Sequence, residues 1–272
     1  MIDINKYFER INYKDKADIS YETLREIHRA QVFSVPFENL EIHDTSSDPE
    51  NLRRLDEQTL VNKIIGQKRG GACMEMNELF ALVLIQLGFN VKRLIASVTP
   101  SRRRTHKCLL ITIGNDKFLA DTGFGGNGII EPLPLITDTP LKQFSETFKL
   151  TLEHPRSDEI EEYVLYSLIK EEWVNLYSFP CSVHLPEEYE PLNYFNSHSK
   201  KSFFVQNRIV TKPTPEGRII LHNYNLKIRH DGHQETITVK EEEYLSILDK
   251  YFSLKLPTST IFKPIPTKEN NA

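Results

Sequence analysis

Cys73 is the cysteine whose surroundings best suit a nucleophile. It follows Arg69-Gly70-Gly71-Ala72 and opens a long apolar segment of helical pattern. A thiol at a helix N-terminus lies at the positive end of the helix dipole, which favours the reactive thiolate, and the two glycines let the backbone approach a ligand closely. Most free cysteines are inert core residues, and Cys108, in an apolar strand pattern, and Cys181, after a Phe-Pro pair, fit that description better.

A cysteine nucleophile needs a base, and the register of one hairpin selects His106 from the nine histidines of the chain. If Gly114-Asn115 forms a two-residue turn, His106 lies diagonal to Asp121 on the same face of the hairpin. Diagonal neighbours are about 7–8 Å apart at the backbone, a gap that polar side chains can bridge. A three-residue turn would place the two on opposite faces, so the predicted Cys73–His106–Asp121 triad depends on this register.

A glycine-rich loop follows Asp121. Residues 122–128, TGFGGNG, contain four glycines and therefore suit either a phosphate cradle or the wall of a cleft. The loop is not a Walker motif, because no GK[ST] follows it, and an ordinary surface turn is the more common role for such a segment.

Three helices are predicted in the first ninety residues, and the third of them carries Cys73. Ser20 is a suitable N-cap for the first, and Asp56 for a second that Gly66 would end. The third begins near Cys73 and runs to Gly88; it is apolar almost all round, so we expect it to be central and buried.

After this helical third the pattern changes to short β-branched and aromatic runs separated by turn signals. They suit an antiparallel sheet or barrel, because the crossover helices of a parallel sheet are missing. A late helix is predicted over residues 241–252. The predicted strands are 107–113, 117–121, 148–154, 162–168, 202–210, 218–229 and 235–239.

Composition narrows the functional classes. The chain has 272 residues, 34 Lys+Arg against 38 Asp+Glu and a net charge of −4, so non-specific nucleic-acid binding is not expected. The longest apolar stretch, residues 79–89, is too short to span a bilayer, and the N-terminal residues lack a signal-peptide core. Three cysteines without CxxC spacing suggest neither a disulfide framework nor a metal site. We therefore expect a cytoplasmic protein without metal, membrane or nucleic-acid partners.

At this point the sequence resembles the arylamine N-acetyltransferases, especially the bacterial branch. The matching pieces keep the family's order and span about residues 35–207: VPFENL (35–40), RGGACMEMN (69–77), THKCLLI (105–111), ADTGFGGNG (120–128) and FNSHSKKSFFVQN (195–207). Three of these pieces carry Cys73, His106 and Asp121, the triad that the residue types and the hairpin register predict without the resemblance.

The resemblance implies an α+β fold with a cysteine-protease-like arrangement of Cys, His and Asp. Its parts would be a helical bundle over 1–90 bearing Cys73, an antiparallel β-barrel over 91–195 bearing His106 and Asp121, and an α/β lid over 196–272. It further implies a ping-pong reaction of xenobiotic metabolism. Acetyl-CoA would acetylate Cys73, and an arylamine, arylhydrazine or arylhydroxylamine would then take the acetyl group.

The resemblance also assigns binding roles. Phe37 and Phe124 would line the acceptor pocket, and Glu38 and Arg69 would form a buried structural ion pair. Residues that would approach CoA are Gly125, Gly126, Ser199 and Ser202. The chain departs from the family at Ala72 and Met74, where relatives often have aromatic residues, and at Ser199, where many have proline; these departures concern the shape of the cleft and the contacts to CoA.

Two other classes remain open from the residues alone. A transglutaminase-like or papain-like cysteine hydrolase shares the Cys-His-Asp chemistry, and a degenerate relative would only bind CoA or an aromatic ligand.

Overall fold

The helices cluster in the first third of the chain and in the segment after the barrel. The structure, a computed structural model, describes residues 1–101, 103–155 and 160–265. A π-helical turn, Val61–Gly66, continues α4. The α-helices of the described residues are α1 Ile4–Ile11, α2 Tyr21–Ser34, α3 Leu40–His43, α4 Glu57–Leu60, α5 Cys73–Gln86, α6 Tyr189–His198, α7 Phe203–Gln206 and α8 Tyr244–Phe252.

The predicted caps form. The Ser20 hydroxyl accepts the Thr23 N–H at 3.2 Å at the start of α2, and the Asp56 carboxylate accepts the Thr59 N–H at 3.0 Å at the start of α4. Helix α5 is largely buried, as its nearly uniform apolar character predicts, and it packs against the strands that follow it.

Two antiparallel sheets make up the β-structure of the described residues. The strands are β1 Phe37–Glu38, β2 Asn90–Val98, β3 Arg103–Ile113, β4 Asp116–Ala120, β5 Leu133–Pro134, β6 Leu141–Gln143, β7 Glu146–Glu153, β8 Glu162–Ile169, β9 Glu172–Phe179, β10 Ile209–Thr214, β11 Gly217–His222, β12 Asn225–His230 and β13 His233–Thr238. Eight strands form a nearly closed barrel in the order β5-β4-β3-β2-β9-β8-β7-β6, and five form a second sheet in the order β1-β10-β11-β12-β13.

The β3–β4 hairpin has the register that the two-residue turn predicts. Ile113 pairs with Asp116, and Leu109 pairs with Ala120. The paired ladder ends there, so His106 has no strand partner on the β4 side; it pairs with Ala96 of β2 instead.

Two strand predictions need correction, and other strands were not predicted. Residues 202–210 are not one strand: Ser202 caps the short helix α7 by accepting the Phe204 N–H at 3.2 Å, and β10 begins only at Ile209. Residues 218–229 form two strands, because the chain turns at Asn223, whose φ is +54°. The predictions also missed β2 and β9, which pair through Ser97 and Ser178.

The first third of the chain contributes a strand to the second sheet. Strand β1 pairs with β10 through Phe37 and Thr211, and Phe37 also bridges to Gly71 just before Cys73. Gly70 is required here, because a Cβ at this position would lie 2.1 Å from the carbonyl oxygen of Pro36. The sheet of the C-terminal part is thereby tied directly to the segment that presents Cys73.

The ion pair between Glu38 and Arg69 is present at the same junction. Arg69 Nε donates to Glu38 Oε1 at 2.9 Å, Arg69 Nη2 lies 2.7 Å from the same oxygen, and the Glu38 side chain is fully buried. Glu38 Oε2 also accepts the Leu40 N–H at 2.8 Å, so both carboxylate oxygens are used. The predicted boundary at 195/196 falls within α6, and residues 266–272 of the predicted lid lie outside the described residues, so the division into three parts stays a prediction.

Candidate active site

Cys73 is the first residue of α5 and lies against β3. Its side chain is buried at 3% exposure, and its Sγ is 3.8 Å from the carbonyl oxygen of Thr105. The N–H of Ala72 is already donated to Glu75 Oε2 at 2.9 Å. The N–H of Cys73 is therefore the better candidate to donate to a negatively charged oxygen that forms beside the sulfur. It also lies at the positive end of the helix dipole.

His106 and Asp121 form a buried hydrogen-bonded pair. The Nε2–Oδ2 distance is 2.7 Å, and both side chains are almost completely enclosed. Because Nε2 faces Asp121, the other ring nitrogen, Nδ1, is the one available to Cys73. The structure thus brings together the three residues that the hairpin register and the position of Cys73 selected.

The three groups shift one another's pKa values so that the charged forms of Cys73, His106 and Asp121 are favoured. Burial raises the pKa of Cys73, but the hydrogen bond and positive charge of His106 outweigh it, so the pKa is lowered. Burial lowers the pKa of His106, but the Asp121 carboxylate and the Cys73 sulfur raise it to about 10. Burial raises the pKa of Asp121, and His106 together with two hydrogen bonds lowers it. Each of these shifts favours the thiolate–imidazolium pair over the neutral thiol and imidazole.

This electrostatic arrangement predicts selective alkylation of Cys73. With its pKa lowered, the Cys73 thiolate persists at pH values where an ordinary thiol, of pKa about 8.5, is protonated. Cys181 is exposed at the surface, and partial loss of solvent around its thiol raises its pKa instead. We expect iodoacetamide at pH 6 to 7 to label Cys73 first, as read by mass spectrometry of the peptides. Equal or faster labelling of Cys181 over this range would contradict the assignment, and a Cys73→Ala variant gives the background.

Asn77 holds the Asp121 segment in place and was not among the predicted site residues. Its Nδ2 donates to Asp121 Oδ1 at 2.8 Å and to the carbonyl oxygen of Lys107 at 2.6 Å, while its Oδ1 accepts the Thr122 N–H at 2.9 Å. Residues i and i+4 share one face of a helix, so the spacing from Cys73 was the signal that could have identified Asn77.

Gly123 lets the Asp121 loop lie directly against α5. Its N–H donates to Asp121 Oδ1 at 3.0 Å, and a Cβ at this position would lie 2.8 Å from the Cα of Cys73 and 3.1 Å from Asn77 Nδ2. Any side chain here would therefore separate the loop from the helix that carries the nucleophile.

We expect Gly123→Ala to damage the site and to cost about 1–3 kcal/mol of unfolding free energy through overpacking. Displacement of the loop by a few tenths of an ångström would also lower kcat/KM. Urea unfolding and steady-state kinetics measure the two effects. Gly66→Ala is the matched control, because its nearest neighbour, Asn62 Oδ1, would be 3.4 Å away. Equal behaviour of the two variants would contradict the close-approach argument.

A cavity of about 550 Å³ opens onto Cys73 and His106. Phe37 and Phe124, which the resemblance assigns to an acceptor pocket, line this cavity, and the Phe124 ring meets the His106 ring edge-on with 5.3 Å between centroids. Gly125 packs against the face of Phe37, where a Cβ would lie 2.4 Å from the ring. The cavity wall next to the nucleophile is thus predominantly aromatic, which suits a flat apolar ligand.

The residues predicted to approach CoA are only partly at this cavity. Gly125, Gly126 and Ser202 line it, whereas Ser199 does not. The Ser202 hydroxyl already donates to the Asn196 carbonyl oxygen at 2.9 Å and caps α7. The Ser199 hydroxyl accepts the Lys201 N–H at 3.2 Å. Their role toward CoA stays a prediction.

Other residues of the cavity were not among the predicted site residues. Asn196 of α6 donates to the Thr105 carbonyl oxygen at 2.9 Å, and Arg103 lies over the Phe195 ring at 4.9 Å. Tyr177 of the missed strand β9 does not line the cavity, but its ring centroid lies 4.9 Å from that of the His106 ring. Helix α6 and strand β9 join the site only through tertiary packing, so local pattern offered no signal beyond the resemblance at residues 195–207.

The described residues hold neither a metal-binding cluster nor a membrane-spanning helix. No group of three or more His, Cys, Asp or Glu side chains there is arranged to hold a metal ion. Within the same ranges, none of the helices combines the length and the apolar character that a membrane span needs.

Comparison with known proteins gives consistent results. A family model described as N-acetyltransferase matches residues 20–261. An arylamine N-acetyltransferase of Escherichia coli K12 is 30% identical over 85% of this chain and 80% of its own length. The structure of the Salmonella typhimurium arylamine N-acetyltransferase superposes with a TM-score of 0.85 at 27% identity, covering 95% of this chain and 94% of that one. That of the Mycobacterium marinum enzyme in complex with CoA gives 0.83 at 28% identity, with 93% coverage of each chain.

Proposed function

Because this chain belongs to the arylamine N-acetyltransferase family, we propose that it transfers the acetyl group of acetyl-CoA to small aromatic amines and hydrazines through a thioester on Cys73. The observation that carries this proposal is the buried Cys73–His106–Asp121 cluster at the floor of an aromatic cavity. Acetyl-CoA is here a substrate, and arylhydroxylamines are acceptors of the same chemical type.

In the first half-reaction the Cys73 thiolate attacks the acetyl carbonyl carbon of acetyl-CoA. The N–H of Cys73 lies beside the sulfur and supports the negative charge that develops on the acyl oxygen. As the tetrahedral intermediate collapses, the bond to the CoA sulfur breaks and protonated His106 gives its proton to that sulfur. CoA leaves as the thiol, and the enzyme holds the acetyl group on Cys73 with His106 neutral.

In the second half-reaction the acceptor nitrogen attacks the thioester. Neutral His106 takes the proton of that nitrogen, and the Cys73 thiolate leaves, which restores the charged pair. Asp121 accepts a hydrogen bond from Nε2 throughout, so Nδ1 stays directed at the reacting atoms. The two substrates use the cavity in turn, which makes the expected kinetics ping-pong.

The side chains around the cavity support an aromatic acceptor. Phe37, Phe124 and Phe204 offer ring faces and edges next to Cys73, while the charged residues of the wall, Arg103 and Lys201, are cations. A cationic rim suits the phosphates of CoA, and ring contacts suit an arylamine in the same cavity.

The proposal is tested by incubating the protein with acetyl-CoA alone and weighing it intact. We expect a mass gain of one acetyl group, mapped to Cys73, that is lost when an arylamine is added. No gain, or a gain located on Cys108 or Cys181, would overturn the proposal. The predicted alternative of a hydrolase of the transglutaminase or papain type requires loss of acetyl to water at the same rate with and without the arylamine.

A further inference from the structure

His28 is a buried histidine that the proposed mechanism does not use. It lies on α2, is fully enclosed, and faces the segment that carries Asp121. Its Nδ1 is 2.8 Å from the carbonyl oxygen of Ile130, and its Nε2 accepts the backbone N–H of Asp121 at 3.0 Å.

These two contacts determine the protonation of the ring. A backbone N–H can only donate, so Nε2 carries no proton. The Ile130 carbonyl oxygen can only accept, so the proton lies on Nδ1. The ring is therefore neutral and holds one fixed tautomer. Burial lowers the pKa of His28 to about 4, despite the Ile130 and Asp121 contacts, and this agrees with a neutral ring at working pH.

His28 closes the second side of a clamp on Asp121. On the first side, Asn77 of α5 and the Gly123 N–H of the loop itself donate to the Asp121 carboxylate. From α2, His28 fixes its backbone nitrogen, and Gln31, one turn later on the same face, donates to the Thr122 hydroxyl at 2.7 Å. Strand pairing ends at Ala120, one residue before Asp121, so these side chains replace the ladder where it stops.

We propose that His28 is a positioning residue for the reaction: a neutral imidazole on α2 that fixes the backbone of Asp121 and so keeps its carboxylate on His106. This inference rests on the proposed function of the triad. The ring also contacts Ile130, two residues beyond the glycine-rich loop 122–128. One side chain therefore hydrogen-bonds to the backbone on both sides of this loop.

The test compares His28→Leu with His28→Gln. Leucine leaves the Asp121 N–H and the Ile130 oxygen buried without partners, whereas the glutamine amide offers one acceptor and one donor in the same region. We expect His28→Leu to lower kcat for acetyl transfer about 10- to 100-fold with little change in KM, since small displacements of a catalytic group have effects of that order. We expect His28→Gln to recover a substantial part of the loss.

A second readout separates positioning from general destabilisation. If Asp121 moves away from His106, the pH profile of iodoacetamide labelling at Cys73 shifts to higher pH. The charged groups that act on that thiol are His106 and Lys107 on β3 and Arg53 before α4, and Asp121 acts on it through His106. Leu24→Val removes buried volume one turn earlier on α2 and should lower the melting temperature without moving the profile.

The possible results distinguish a failure of the His28 role from a failure of the proposed function. If the profile moves in His106→Ala but not in His28→Leu, the triad stands and the role of His28 is overturned. If His28→Leu and Leu24→Val lower activity equally with unshifted profiles, His28 is merely a structural residue and the inference is also overturned. If Cys73 is never acetylated, the proposed function itself fails.

Discussion

Cys73→Ser should reduce kcat/KM by about 10⁴-fold or more, the scale seen when a catalytic nucleophile is removed. The serine hydroxyl is far less acidic than a thiol, and the charge of His106, whose pKa is raised to about 10, cannot ionise it as it ionises Cys73. The substitution replaces sulfur by a smaller atom in a site with 3% exposure, so the fold should be preserved. Steady-state acetylation of an arylamine and the intact mass with acetyl-CoA measure the effect.

Cys181→Ser is the control for this prediction. Cys181 is exposed and away from the cavity, so its loss should leave kcat/KM within about twofold, the scale of a neutral surface substitution. Activity in Cys73→Ser above one-tenth of the unmodified protein would contradict covalent catalysis at residue 73. A direct transfer from acetyl-CoA to the amine would then have to replace the two-step mechanism.

The extent to which sequence predicts this site depends on how local each constraint is. The β3–β4 register follows from one two-residue turn, so the relation of His106 to Asp121 could be predicted from a few adjacent residues. The position of Cys73 at a helix start follows from its glycines and the apolar run behind it. Both signals lie within about twenty residues of the group that they position.

The parts that could not be predicted are those that form through distant contacts. Strand β1 is two residues long and pairs with β10, which lies far along the chain, so nothing near Phe37 marks it as a strand. Strand β2 carries Lys92 and Arg93, which obscure its alternation. Segment 202–210 has strand composition, but the Ser202 cap makes its first half a helix. The clamp on Asp121 from α2 likewise exists only after the chain has folded.

Asp121→Asn should lower kcat/KM about 10³- to 10⁴-fold, although the change preserves the shape of the side chain. The carboxylate accepts the Nε2 hydrogen bond at 2.7 Å and supplies the negative charge that helps to raise the pKa of His106 to about 10. Without that charge the pKa of His106 falls, and the pKa of Cys73 rises toward that of an ordinary thiol. The thiolate fraction at neutral pH therefore decreases, and both half-reactions slow.

The sign of this change is visible in a measurement that does not involve acetyl transfer. In the unmodified protein, iodoacetamide labelling of Cys73 should persist as pH falls until the lowered thiol pKa is crossed. In Asp121→Asn the same decline should begin at higher pH, because His106, with its pKa lowered, is neutral in that range and no longer stabilises the thiolate. Asp116→Asn, an exposed carboxylate at the other end of β4, should change neither the profile nor kcat/KM. An unshifted profile in Asp121→Asn, together with lost activity, would mean that Asp121 orients the His106 ring but does not stabilise its protonated form.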